Sequence, residues 1–172
     1  MTGDQYLRTR TALSSLPADA QRRLAVNLAE LVLPFASLSQ RGQPDDGLIA
    51  VADIIRDSSA DLPTIDDARH RLWSIPELRE TEEPDGHAWY SLGATVAWIY
   101  AADAMSTAPS DGVVSAFGRV TDVLGAVDDE LKDTDLLNQL LALLALVESS
   151  GSVKLSSLTP SVELAVGRLR SQ

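Results

Sequence analysis

The chain has 172 residues, a length that suits one domain, and its 45% hydrophobic and 23% charged content is typical of a folded globular protein. The formal net charge of -11 disfavours nucleic acid and anionic membrane surfaces as ligands, because both repel an acidic protein. The absence of cysteine excludes disulfides, thiolate nucleophiles, and zinc or iron–sulfur sites that use cysteine ligands.

The first third of the chain predicts three helices, because its apolar residues recur every three or four positions. A short helix runs from about Gln5 to Ser14. A second begins near Ala18 and is kinked or ended by Pro34, since the proline ring removes a backbone N–H and collides with the preceding turn. The second and third helices bury two apolar stripes: Leu24, Leu28, Leu31, Val32 and Phe35, then Leu48, Val51, Ala52 and Ile55.

A fourth helix is predicted to begin at Thr64. Asp66 and Asp67 then lie in its first turn, where carboxylates interact favourably with the helix dipole. The helix ends before the Ile75-Pro76 pair, because a proline disfavours helical backbone in the residue before it. The charged segment 77–86 follows, and we expect it to face solvent.

The uncharged run from His87 to Ala102 predicts a helix that is buried on every side and extends over residues 87–106. Within it, Gly93, Ala97 and Ala101 recur every four residues and form a shallow groove where a neighbouring backbone approaches closely. We expect the large residues of the run to lie at the centre of the bundle: Trp89, Leu92, Val96, Trp98, Ile99 and Tyr100.

Three further helices are predicted after this run. Ser110 caps the first, Asp133 or Thr134 caps the second, and Thr159-Pro160 opens the last. The second carries leucines over more than half of its circumference. It is therefore either a second core helix or the site of a homodimer interface through Leu136–Val147.

These patterns predict an all-α fold: a single domain over residues 1–172, built as a bundle of about seven to nine helices around the buried helix 87–106. No apolar segment has the length and flanks of a membrane span or a signal peptide, so we expect a cytoplasmic protein. Twelve arginines against two lysines, with abundant alanine, leucine and aspartate, are typical of a GC-rich bacterial coding sequence.

A metal site is one candidate for chemistry. Asp66 and His70 are four residues apart and share a helix face, and Asp85 precedes His87 by two residues. Helix-initiating carboxylates followed by a histidine also occur for capping reasons alone. The acidic cluster Asp128–Glu130 leaves the same choice open, between paired-carboxylate or magnesium chemistry and helix capping.

A binding groove is the second candidate. Trp73 and Trp89 flank the charged segment 77–86, and His87 lies beside Trp89. Tryptophan is frequent at protein interfaces and in ligand pockets, so these three residues predict a groove next to that segment. Packing beneath the loop is the alternative explanation.

Four stretches of the sequence resemble a known family. They are LAELVLPFASLSQ with its Leu33-Pro34-Phe35 step, DGLIAVADIIRD, LWSIPE, and the small-residue helix GATVAWIYAADAM. Over about residues 16–127 their order and proline placement resemble the bacterial YjaG-like family of small helical proteins, a domain of unknown function. Arg56-Asp57 stands where that family tends to have a tryptophan. The resemblance implies an all-helical cytoplasmic bundle and brings no catalytic residue.

Two functions of different classes are consistent with the sequence. The first is a non-enzymatic protein of accessory or immunity type whose acidic surface binds a basic protein partner. The second is a small metal-dependent or small-molecule-binding enzyme that uses the region of His70 and His87. No cofactor is predicted, because the sequence has neither a phosphate-binding loop nor a dinucleotide-binding glycine pattern.

Overall fold

The computed structural model describes residues 3–39, 44–57, 59–75, 78, 84, 86–106, 108–147 and 153–172, and no strand occurs among them. Eight α-helices are described: α1 (Gly3–Ser14), α2 (Ala18–Val32), α3 (Asp46–Arg56), α4 (Leu62–Leu72), α5 (His87–Met105), α6 (Pro109–Leu131), α7 (Leu136–Ala145) and α8 (Thr159–Leu169). Two 3-10 helices, Leu33–Leu38 and Leu155–Ser157, lie between them. The predicted all-α helical bundle is confirmed.

Helix α5 is central, as predicted, because α2, α4, α6 and the 3-10 helix Leu33–Leu38 all pack against it. The predicted identity of its innermost residues is only partly correct. Trp98 and Ile99 are fully buried, but four of the six large residues are half-buried: Trp89, Leu92, Val96 and Tyr100. The innermost positions are instead occupied mainly by glycine and alanine, since small side chains let several helices approach one helix at once.

Helices α5 and α6 approach each other closely at two glycines. A Cβ atom added to Gly112 of α6 would lie 2.3 Å from the backbone nitrogen of Ala104 in α5. A Cβ atom added to Gly93 of α5 would lie 2.4 Å from Cγ2 of Val123 in α6. Both glycines therefore mark places where the two helices leave no room for a methyl group, and the predicted groove residue Gly93 faces this contact.

Helix α2 ends where the sequence predicts. It stops at Val32, and the chain continues as the 3-10 helix Leu33–Leu38 with Pro34 in its first turn. The apolar stripes predicted for the second and third helices are buried, one from Leu24 to Phe35 and the other from Leu48 to Ile55. Helical periodicity was sufficient to predict these buried residues, because each of the two helices has one buried face.

The predicted helix starts in the second half of the chain need correction. Helix α6 begins at Pro109, with Ala108 at its N-cap position, so Ser110 lies inside the helix. Neither Asp133 nor Thr134 caps α7. The Asp128 carboxylate does so from the end of α6, because its two oxygens accept the N–H groups of Leu136 and Leu137 at 2.9 Å each. Asp128 thus has the capping role, one of the two alternatives that the sequence left open.

The leucines of α7 belong largely to the core of their own chain. Leu136, Leu140, Leu141 and Leu144 are buried, whereas the exposed positions of the segment include Asn138, Gln139, Ala142, Ala145 and Leu146. The first of the two predicted alternatives, a second core helix, thus describes the packing of α7. The homodimer through Leu136–Val147 stays a prediction, and these exposed residues would have to make its contact.

Replacing Gly112 by alanine tests the close approach of α5 and α6. The new methyl group would overlap the Ala104 backbone, so we expect Gly112→Ala to lower the free energy of unfolding by about 1–3 kcal/mol. Gly167→Ala in α8 is the matched control, because a Cβ there meets nothing within 4 Å. The control should gain about 0.5–1 kcal/mol from helix propensity. Equal effects of the two variants in urea unfolding would contradict the proposed packing.

Candidate functional site

Helix α4 carries three of the residues singled out in the sequence: Asp66, His70 and Trp73, the last at its C-cap. The helix begins at Leu62, two residues before the predicted Thr64. The cap is Asp61, whose carboxylate accepts the Thr64 N–H at 3.0 Å. Pro63 in the first turn needs no N–H partner, so this start is favourable. The sequence prediction missed Asp61 because Thr64 is also an acceptable capping residue.

One flank of α4 presents apolar side chains to solvent. Leu62, Asp66, Arg69 and Trp73 are spaced by four, three and four residues, so they share a side of the helix. Leu62 and Trp73 are each 50% exposed, although both are large and apolar. Their α-carbons are separated by about 16 Å along the helix axis. We call these four residues the α4 flank.

Arg69 fixes the middle of the α4 flank to α5. Its Nε atom lies 2.5 Å from Oδ1 of Asp103, near the end of α5. Burial raises the pKa of the Asp103 carboxyl, and the opposing effect of Arg69 is smaller. The partly buried pair adds to the apolar packing of Ile65, Ala68 and Leu72 in fixing α4 on α5, and Leu62 and Trp73 lie on either side of it.

A concave corner lies next to the start of α4. A cavity of about 520 Å³ is lined by the end of α3 and the α3–α4 connection: Asp53, Ile54, Asp57, Ser59, Ala60, Asp61 and Thr64. Hydrogen bonds from Ser59 lower the pKa of Asp57, and those from Thr64 lower the pKa of Asp61. The three aspartates lie in α3, at its C-cap and at the N-cap of α4, so helical spacing alone could not have predicted that they line one corner.

The metal prediction involves two parts of the structure. His70 Nδ1 lies 2.7 Å from the Asp66 carbonyl oxygen, a contact within α4 that orients the ring. His87 is half-buried at the first position of α5, and Asp85 lies outside the described residues. Among the described residues, no group of three or more His, Asp or Glu side chains is placed to hold a metal ion. The four-residue site stays a prediction.

Trp89 belongs to an aromatic cluster at the start of α5. Its ring contacts the Tyr90 ring edge-on, with centroids 5.5 Å apart, and Tyr90 stacks on Phe35 at 5.9 Å. The Tyr90 hydroxyl donates to Oε2 of Glu130 at 2.5 Å. Trp89 is half-buried against the core. The predicted binding trio is therefore distributed over two helices, with Trp73 on α4 and with His87 and Trp89 on α5.

No family model, curated protein or solved structure matches this chain. The resemblance to the YjaG-like family therefore stays a prediction. Within the described part of the chain, none of the helices combines the length and the apolar character needed to cross a membrane.

The cap of α4 gives a pH-dependent prediction. The pKa of Asp61 is lower in the folded chain, so its contribution to stability is present above the ordinary pKa of 3.8 and is lost as the pH falls through the folded value. We expect Asp61→Ala to lower the melting temperature at pH 7. The difference in melting temperature between this variant and wild type should shrink as the pH falls below 3.8 and through the folded pKa of Asp61.

Circular dichroism melts at pH 7 and pH 3 make this measurement. Asp67→Ala is the control, because Asp67 is exposed on the same helix and does not cap it. The cap assignment would be wrong if both variants melted alike at pH 7, or if the difference for Asp61→Ala were independent of pH.

Proposed function

We propose that the chain is a non-enzymatic bacterial protein of accessory or immunity type, which works in the cytoplasm by binding a basic protein partner through its acidic surface. The resemblance to the YjaG-like family is part of this proposal and is compatible with it, since that family brings no catalytic residue. The net charge of -11 supplies the long-range attraction for such a partner.

The observation that carries the proposal is the exposed charge of α3 and α4. Six exposed aspartates occur between residues 46 and 67: Asp46, Asp53, Asp57, Asp61, Asp66 and Asp67. Arg56, the one basic residue in that stretch, pairs with Asp53 and with Glu30 of α2, so it offsets one of the six charges and leaves five. Carboxylates arranged this way raise the encounter rate with a basic surface and oppose that with an acidic one.

Affinity capture at two salt concentrations tests the function. The immobilised chain should retain a basic protein from a lysate of the source cells at about 50 mM salt and release it at about 500 mM, where exposed charges are screened within a few ångströms. Asp57→Asn combined with Asp66→Asn and Asp67→Asn should abolish the capture.

A matched variant keeps this experiment specific. Asp122→Asn, Asp129→Asn and Glu163→Gln remove the same number of exposed charges from α6 and α8. This control should capture the same protein at low salt, with at most a small loss. If no salt-sensitive basic protein is retained, or if both triple variants lose it equally, the acidic surface of α3 and α4 is not the binding surface and the proposal is wrong.

A further inference from the structure

The α4 flank has the features of a docking surface for a particular kind of segment. Resting on the proposed function, we infer that the partner presents a basic amphipathic helix, whose apolar side chains cover Leu62 and Trp73 and whose Lys or Arg side chains face Asp66. The inference combines two exposed apolar side chains, the charge between them, and the rigidity of the helix that carries them.

The apolar part of the argument concerns exposure. Leu62 and Trp73 each leave half of their surface in water, although the chain buries most of its other large apolar side chains. Tryptophan is the residue most enriched among those that dominate the energy of protein interfaces. Covering both side chains with one partner would remove apolar surface from water at two points of one rigid helix.

The spacing favours a helical partner. Leu62 and Trp73 are eleven residues apart on one side of α4, which is about three turns. A second helix laid along α4 repeats its own apolar residues with the same period, so two of its side chains reach both points without bending. An extended peptide alternates its side chains between opposite faces every residue and offers no such match.

The charge favours a basic partner over the other occupants. Asp66 is exposed one turn from Leu62, and the neighbouring Arg69 is already paired with Asp103. Because Arg69 is occupied, the charge available to a partner on this flank is negative. A second copy of this chain placed symmetrically, with Leu62 of each copy against Trp73 of the other, would set Asp66 opposite Arg69, which is already paired with Asp103. An anionic membrane would be repelled. A basic helix is attracted.

Binding of a labelled synthetic peptide to the full chain tests the surface. The probe is a 15-residue helix of leucine and lysine with leucines at positions i, i+4, i+7 and i+11, and its anisotropy is followed in a titration. We expect Trp73→Ser and Leu62→Ser each to weaken binding at least about tenfold. Asp66→Asn should weaken binding less and should flatten its salt dependence.

Two controls make the result specific. Leu164→Ser removes a leucine of α8 that is 68% exposed, and it should bind the peptide as wild type does. A peptide with glutamate in place of lysine should not bind. Since Leu62, Trp73 and Leu164 are exposed, circular dichroism should confirm that each variant keeps its fold.

Failure of this inference is distinguishable from failure of the proposed function. The α4 flank is not the docking surface if the lysine peptide does not bind, if Trp73→Ser binds the peptide as wild type does, or if Leu164→Ser weakens binding. Capture of a basic protein from the lysate would then still support the function. Conversely, peptide binding at α4 by a chain that captures no basic protein would uphold the surface and overturn the function.

Discussion

The contact between Gly112 and Ala104 sets the distance between the two longest described helices, and the rest of the bundle depends on it. At 2.3 Å from a Cβ atom added to Gly112, the Ala104 backbone nitrogen leaves no space for any side chain. Backbones this close bury many atoms of both helices, and dispersion contacts accumulate over such an interface. Helices α2 and α1 then pack on α6, and α2 and α4 pack on α5.

Buried apolar side chains pack the α3–α4 pair on this core, and two arginines add polar contacts that orient it. Arg69 of α4 binds Asp103 of α5, and the Arg56 guanidinium of α3 lies 5.3 Å from the centre of the buried Trp98 ring. Arg56 also binds Glu30 of α2, and this pairing raises its pKa. The two arginines thus orient a helix pair whose remaining charges are mostly negative and exposed. Core packing positions the surface, and the surface is where recognition is proposed.

The sequence predicted the elements better than their ends. The apolar stripes between Leu24 and Ile55 were sufficient to predict the buried faces of α2 and α3, because the period of the apolar residues shows which face of a helix is buried. The caps were harder to predict: Asp128 caps α7 from eight residues away, and local sequence patterns contain no signal for that contact. In α5, hydrophobicity predicted that the helix is buried but not which of its side chains lie deepest, because the central positions require small residues and not merely apolar ones. The α4 flank needed the structure, since only exposure distinguishes Trp73 from a core tryptophan.

Native-state hydrogen exchange of the backbone amides tests most directly whether α5 and α6 form the most stable part of the bundle and α3 and α4 a less stable part. If the contact of α5 with α6 carries the fold, the amides around Trp98 and Phe117 should exchange only through global unfolding, and those of α3 and α4 should exchange earlier through a smaller opening. The α3–α4 opening should become easier in Arg69→Ala, while the exchange of α5 and α6 should change only as much as global stability does. Amides of α5 or α6 that exchange faster than those of α3 and α4 would contradict the account.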